Sequence, residues 1–436
     1  MTLGNHRVPP SVFGAMAKGG GGADAIGVLA TAQYSKHMLL LAGVLDHASS
    51  ADRGQWRLAD SGYDLLALAQ RHDPEAANAV IRHPSVGAWA TRTLRALRGE
   101  AVIPGAEPGM LSAVAAAAAI RAGLAAQIEV PVLNGSVVLP SLGAASAHGD
   151  RALVRNPATG SADVESAKGS VILPPDPHHD GPGWSGLRRI RAGSFDAVVD
   201  DLSPFRMPAA RRLAARLSPG LAGAWTSVFL AEWPLLERYH PGVADEVAAA
   251  VKVIVPLETP AHGPVSSSSP EAFGAVAMSE PPDPSTLGVT LAHELQHLKL
   301  SALTDMIALT RPPDGRHFYA PWRDDPRPAD ALLQGTYAFL GVSGFWRRQR
   351  LHESGAAAIR AHAEYARWRN ASALATGTLR SSGSLTPAGL EFVQGMATTL
   401  DKWIAEPVPD TARSLAQQQD RQHRDRWQSV NGPIPA

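Results

Sequence analysis

The residues with the clearest chemistry are His293-Glu294-Leu295-Gln296-His297. On an α-helix, residues four apart lie one above the other, so His293 and His297 can aim both imidazoles at one cation, with Glu294 on the adjacent face. One helical turn then supplies two metal ligands and a proton acceptor. The bland alternative is that both histidines pack or face solvent, but Leu291, Leu295, Leu298 and Leu300 surround the polar stripe with apolar positions, as an amphipathic helix requires. The chain contains no cysteine, which excludes disulfides and thiolate sites and leaves metal ligation to His and carboxylate.

Two histidines do not complete a metal site, and a third ligand has to come from elsewhere. Asp305 lies twelve residues beyond His293, about 18 Å along a continuous helix, and reaches the ion only if the helix breaks. A return helix from Ala329 to Phe345, antiparallel to the first, would bring Asp330 or Gln334 alongside the histidines. The preceding loop would offer Asp324 or Asp325, and the spacing leaves all four open. That loop, His317 to Arg327, also carries Tyr319, Trp322, Arg323 and Arg327, two rings and two guanidinium groups suited to gripping a carboxylate. The competing expectation is that its arginines pair with Asp324, Asp325 or Asp330.

The elements that position these residues follow from periodicity. From Ser11 to about Gln127 the pattern is helical, interrupted at Gly19 to Gly22, which reads as a flexible joint because no strand precedes it and no Lys-Ser/Thr pair follows. From Ile128 to Asp200 short β-rich runs dominate, with a hairpin signal at Asn134-Gly135. Asp176-Pro177-His178-His179-Asp180 looks like a metal cluster, but adjacent side chains in an extended chain diverge, so a solvated loop is expected. Helical periodicity returns from Pro208 to Val255, and a polar loop from Gly263 leads into a short strand at Ala272 to Met278. The motif helix then starts after Pro281-Pro282-Asp283-Pro284, with a cap near Ser285 or Thr286. The chain after Ala329 is helical, with a start at Thr386-Pro387 and a polar tail after Thr411. Four segments result: an N-terminal helical region (1–127), a β-rich region (128–204), the metal-site region (205–350) and a C-terminal helical region with its tail (351–436).

With 436 residues the chain has room for a sizeable core. Its 40 basic and 40 acidic residues balance, so nothing recommends a nucleic acid as partner. The segment Met1 to Pro10 has no apolar signal core, and the Ala-rich stretch from Ser112 to Gln127 carries Arg121 and is too weakly apolar to span a membrane. The cytoplasm is the expected compartment.

Several longer motifs stand in a fixed order: His293-Glu-Leu-Gln-His-Leu-Lys-Leu-Ser-Ala-Leu303, Tyr319-Ala-Pro-Trp-Arg-Asp-Asp-Pro-Arg-Pro328 and Leu332-Leu-Gln-Gly-Thr-Tyr-Ala-Phe339. Together with Gly19 to Gly22, Val130-Pro131-Val132 and Ser268 to Met278, they give a chain that resembles the HExxH-motif proteins of ribosomal-peptide gene clusters. That group is described as 2-oxoglutarate-dependent HExxH-type peptide β-hydroxylases, and a related domain is appended to some radical-SAM peptide maturases. The resemblance implies an iron(II) enzyme that uses 2-oxoglutarate and dioxygen to hydroxylate the β-carbon of a residue in a ribosomally made precursor peptide. It implies iron on His293 and His297, with open positions for the keto acid and oxygen, and Arg323 or Arg327 on the distal carboxylate. The strand near Phe273 to Met278 would pair with an extended peptide by edge addition. Relatives often carry His where this chain has Gln334, which would make Gln334 a weaker amide ligand. Taken alone, the motif favours a zinc hydrolase in which Glu294 is the general base, and a peptide-binding module without chemistry is the third possibility. The fold expected is mainly α with a β-rich insertion, an α+β chain closer to a zincin-like helix pair than to the jelly roll usual for 2-oxoglutarate oxygenases.

Overall fold

The structure, a computed structural model, describes residues 6–49, 52–208, 212–261 and 263–434. It opens with α1 (Pro10–Ala17), α2 (Gly22–Ala48), α3 (Arg53–His72), α4 (Pro74–Ile81), α5 (Pro84–Leu97) and α6 (Leu111–Arg121). Asp52 and Asp73 cap α3 and α4 by accepting amide hydrogens of the first turn, and Pro74 and Pro84 sit where a missing N–H costs nothing.

Nine strands follow: β1 (Ala126–Pro131), β2 (Ser136–Leu139), β3 (Gly143–Ser146), β4 (Arg151–Asn156), β5 (Asp163–Ser166), β6 (Gly169–Ile172), β7 (Trp184–Gly186), β8 (Arg188–Ala192) and β9 (Phe195–Val199). After α7 (Pro219–Tyr239) and α8 (Pro241–Ala250) come β10 (Val253–Leu257), β11 (Ser266–Ser267) and β12 (Ala275–Ser279). Five helices complete the described residues: α9 (Pro284–Thr304), α10 (Ala329–Gln349), α11 (Gly355–Ser381), α12 (Pro387–Ile404) and α13 (Asp410–Asn431). The result is a mostly helical α+β chain, as the residue patterns predict.

Among the described residues the strands form three sheets, in the orders β1-β4-β5-β6, β2-β3-β7 and β11-β12-β10-β9-β8. In the third sheet β10 runs parallel to both β9 and β12, and every residue of β10 and β12 is buried, as parallel strands covered on both faces must be. The expectation that the strand at Phe273 to Met278 offers a free edge is therefore corrected. Its edges are taken by β10 and β11, and the outer position belongs to β11, two residues long.

Three other expectations change in detail. Asn134 and Gly135 do adopt the positive φ angles of a tight turn. However, only a Leu133–Ser136 bridge closes it, because β1 pairs with β4 and β2 with β3. The helix expected from Pro208 begins at Pro219; residues 212–218 form no helix, and 209–211 lie outside the described residues. The Gly19 to Gly22 segment is a clamped bend. Gly19, Gly21 and Gly22 have positive φ, and the Lys299 ammonium donates to the Gly20 carbonyl at 2.8 Å and to Glu246 at 2.7 Å. Glu246 in turn accepts the Gly22 amide at 2.7 Å. Lys299 is fully buried, so its charge is tolerable only because this carboxylate and these carbonyls surround it.

The buried side chains group into three cores, and these cross the limits at 127, 204 and 350. Ile26 of α2 packs with β8, β9, α7 to α9 and Tyr365 of α11, while α1, α10 and α12 close around the far end of α9. α9 is thus a central helix, held on nearly every side. Its N-cap is Asp283, with Pro284 in the first turn; Asp283 accepts from the Thr286 amide at 2.9 Å, slightly upstream of the cap expected at Ser285 or Thr286.

Candidate functional site

α10 runs antiparallel along α9. Gln334 touches His297, Gly341 lies against Ala292 and Gln296, and Phe345 lies against Gly288. A Cβ on Gly341 would stand 2.6 Å from Gln296 and 2.9 Å from the Ala292 carbonyl, so glycine is what lets the two helices approach there. Between them opens a cavity of about 590 Å³ lined by His293, Glu294, His297, Trp322, Arg323 and Gln334, with Ser266 to Ser268 of the β11 edge on one side and Phe339 on another.

The two Nε2 atoms of His293 and His297 face each other at 3.2 Å. Two ligand nitrogens at about 2.0–2.1 Å from a shared ion subtend about 100° at that separation, between the tetrahedral and octahedral angles. The His297 Nδ1–H donates to the Gln334 amide oxygen at 3.1 Å, and the Gln334 amide nitrogen donates to the Ser301 hydroxyl at 3.4 Å. In the neutral ring that pairing puts the proton on Nδ1 and leaves the Nε2 lone pair on the side facing His293. Burial pushes the His293 imidazole down to about 4, outweighing the opposing pull of Glu294, so this ring is neutral near pH 7 and competent to bind a cation without first losing a proton.

Glu294 is almost completely buried, at 2% exposure. Its Oε1 accepts the Ser266 hydroxyl at 2.6 Å and lies 4.0 Å from Nε2 of His293, while its Oε2 finds no hydrogen-bond partner among the described residues. A buried carboxylate oxygen without a donor is costly in a resting structure. It is also what an acceptor awaiting a ligand looks like.

The loop between α9 and α10 is tied at its base by paired backbone hydrogen bonds of Phe318 and Arg327, and it divides its side chains between two directions. Trp322, Arg323 and Arg327 line the cavity. Trp322 stacks on Phe339 at 4.8 Å, and Phe339 meets the His293 ring edge to face at 5.2 Å. Both arginines pair with Asp325 at 2.9 Å, the competing expectation for them. Partial burial works against ionisation of Asp325, but the two guanidinium groups hold its carboxyl below the usual range. Tyr319, expected beside a bound carboxylate, instead points away: its hydroxyl bonds Nδ1 of His423 at 2.9 Å, and its ring packs on Trp427 of α13.

The four carboxylates and the amide considered as third ligand have separate fates. Asp305 binds Gln33 and Lys36 at the far end of α9. Asp324 faces Arg426 of α13, and Asp325 holds the arginines. Asp330 lines the cavity. Gln334 meets His297 at Nδ1, across the ring from the nitrogen that faces His293. Among the described residues no three His, Asp or Glu side chains gather to hold an ion. The donor set fits a cation at two positions, and a third protein ligand is not assembled. The His178-His179 cluster is a structural loop, with Asp180 receiving Arg188 and Arg216.

The sequence reading missed Ser266 and Phe339. Phe339 was recoverable, since Ala331, Gly335 and Phe339 form one stripe of α10 at helical spacing. Ser266 was not, because only the pairing of β11 with β12 carries a serine of a polar loop to the motif helix. No helix among the described residues is long and apolar enough to cross a membrane. No family model matches the chain, and no curated protein matches it in sequence.

Proposed function

We propose that the chain is a metal-dependent enzyme acting on an extended peptide, and that its chemistry is iron(II)- and 2-oxoglutarate-dependent β-hydroxylation of a residue in a ribosomally made precursor peptide. The observation that carries this reading is the convergence of two imidazole Nε2 atoms at 3.2 Å in a cavity that also presents two arginines and an outer strand. His293 and His297 are the residues that would hold the ion. When bound, iron(II) with 2-oxoglutarate and dioxygen supplies the oxidising power for inserting oxygen into a C–H bond.

The other residues have roles that follow from their positions. Gln334 holds His297 in the tautomer that offers Nε2. Arg323 and Arg327, kept together by Asp325, present guanidinium donors to the distal carboxylate of the keto acid. Trp322 and Phe339 form an apolar wall beside His293 that excludes water from the reacting carbon. β11 offers its outer edge to the backbone of an extended peptide. Glu294, which lines the same cavity, carries a carboxylate oxygen, Oε2, that has no donor among the described residues.

Glu294 also supports a second reading. A buried carboxylate next to His293 in the chain, three residues before His297 and 4.0 Å from the His293 ring, is the arrangement in which a general base serves a zinc hydrolase, zinc supplying Lewis-acid activation of water. The antiparallel α9–α10 pair would then serve as a zincin-like helix pair. One incubation separates the two. Protein with iron(II), 2-oxoglutarate and a peptide encoded by a neighbouring gene is expected to form succinate and add one oxygen atom to that peptide. Cleavage of the peptide without succinate would establish the hydrolase instead, and an unchanged peptide would leave only a binding role.

A further inference from the structure

We propose that Ser266 is a positioning residue that ties the Glu294 carboxylate to the outer strand of the sheet; this rests on the reading of the cavity as a single site for metal and peptide. Ser266 belongs to β11, which is anchored on one side only. It pairs with β12 through Ser266 opposite Met278 and Ser267 opposite Ala277, and Val265 exchanges hydrogen bonds with Ser279 just before it. The other side of the strand borders the cavity. From this strand the Ser266 hydroxyl crosses to α9 and donates to Oε1 of Glu294 at 2.6 Å.

The contact distinguishes the two carboxylate oxygens. Oε1 has a charge-assisted donor, Oε2 has none, and nothing else among the described residues hydrogen-bonds this side chain. Glu294 has three rotatable bonds before its carboxylate, and the terminal one is soft. Without the hydroxyl, either oxygen could turn to the cavity and both would be buried without a donor. With it, one rotation is selected: Oε1, which lies 4.0 Å from Nε2 of His293, is held on the strand's hydroxyl, and Oε2 is the oxygen left without a donor. Because the donor sits on the strand that an extended peptide would extend, a peptide settling on β11 and the orientation of Glu294 are mechanically linked. Ser267, the next residue, lacks this link: its hydroxyl turns to the Ser268 carbonyl at 3.4 Å.

The experiment uses cobalt(II) alone as probe, bound to the full chain, and reads the visible absorption of the ion, which responds to the carboxylate beside its ligands. Ser266→Val and Ser266→Thr are compared because they have the same shape and differ in the hydroxyl. The expected result is that Ser266→Val binds cobalt with an altered spectrum and a loss of no more than about 10-fold in affinity, the lower end for an outer partner of a metal site, while Ser266→Thr restores the wild-type spectrum. In a Glu294→Ala background the Val substitution should change nothing further. An unaltered spectrum in Ser266→Val, or an equal change in the Glu294→Ala background, overturns the role of Ser266 while leaving the metal site standing. If wild-type protein takes up no cobalt, the metal reading and this proposal fall together.

Discussion

Gln334 is the residue on which the account of the metal pair can be tested most finely, because ligand and orienting roles predict different magnitudes. Its amide oxygen accepts from Nδ1 of His297 at 3.1 Å, and its amide nitrogen is held by Ser301. Gln334→Leu removes the acceptor while filling similar space, so the His297 ring keeps its room but loses the bond that fixes its tautomer. Loss of such an outer partner costs about 10–100-fold in metal affinity, equivalent to about 1.4–2.7 kcal/mol. Competition with a calibrated chelator, using zinc(II) or cobalt(II) on metal-free protein, measures this directly. Gln334→Glu should recover the affinity or exceed it, since a carboxylate accepts the Nδ1 proton more strongly. An affinity unchanged in Gln334→Leu would refute the orienting role. A loss far beyond 100-fold would make Gln334 a ligand and the 3.1 Å contact incidental.

The buried pair of Lys299 and Glu246 predicts that Lys299→Met destabilises the fold by about 3–5 kcal/mol in denaturant unfolding, and that adding Glu246→Leu recovers much of the loss, because the cost lies in the orphaned charge. An equal or larger loss in the double variant would contradict this. Gly335→Ala would place a methyl 2.4 Å from the Trp322 indole nitrogen; the expected overpacking cost is about 1–3 kcal/mol, and a crystal structure should show Trp322 displaced from Phe339. An undisturbed Trp322 would sink the claim that this glycine seats the aromatic wall. Burial pushes His83 down to about 3 and His240 and His293 down to about 4. Their folded values lie below the unfolded value near 6.5, so they contribute stability above that pH which is lost as pH falls toward 4 and then 3. Glu232, raised to about 8 by burial and by Asp283, acts oppositely: its contribution is present below about 4.5 and lost as pH rises through 8. Denaturant midpoints of metal-free protein should therefore fall on both sides of a maximum near neutrality, and a midpoint flat from pH 6.5 to 4 would contradict the histidine burial.

Much of the site was legible because it is local. The i, i+4 spacing of His293 and His297 and the helical stripe around them need only one element. The return helix α10, which brings Gln334 to His297, was visible as a helical stretch, although the long connection between Thr304 and Ala329 does not by itself fix its antiparallel course. What stayed hidden depends on partners far along the chain. Tyr319 and Arg323 belong to one loop and carry similar promise in sequence, but α13, about a hundred residues later, captures Tyr319 through His423 and Trp427. The glycine run looked flexible because glycine permits freedom, and only the fold shows Lys299 and Glu246 removing it. The strand at Ala275–Ser279 was found, but its place in the sheet was not, since sheet order is set by the parallel crossover from β9 through α7 and α8 to β10 rather than by local pattern.

The central claim is that His293 and His297 together hold one cation. Titration of metal-free protein with zinc(II), followed calorimetrically, tests it most directly when wild type is compared with His293→Ala and His297→Ala. The predicted result is one ion bound per wild-type chain and no stoichiometric binding in either variant. Two variants that both retain a full equivalent of zinc at wild-type affinity would contradict the account.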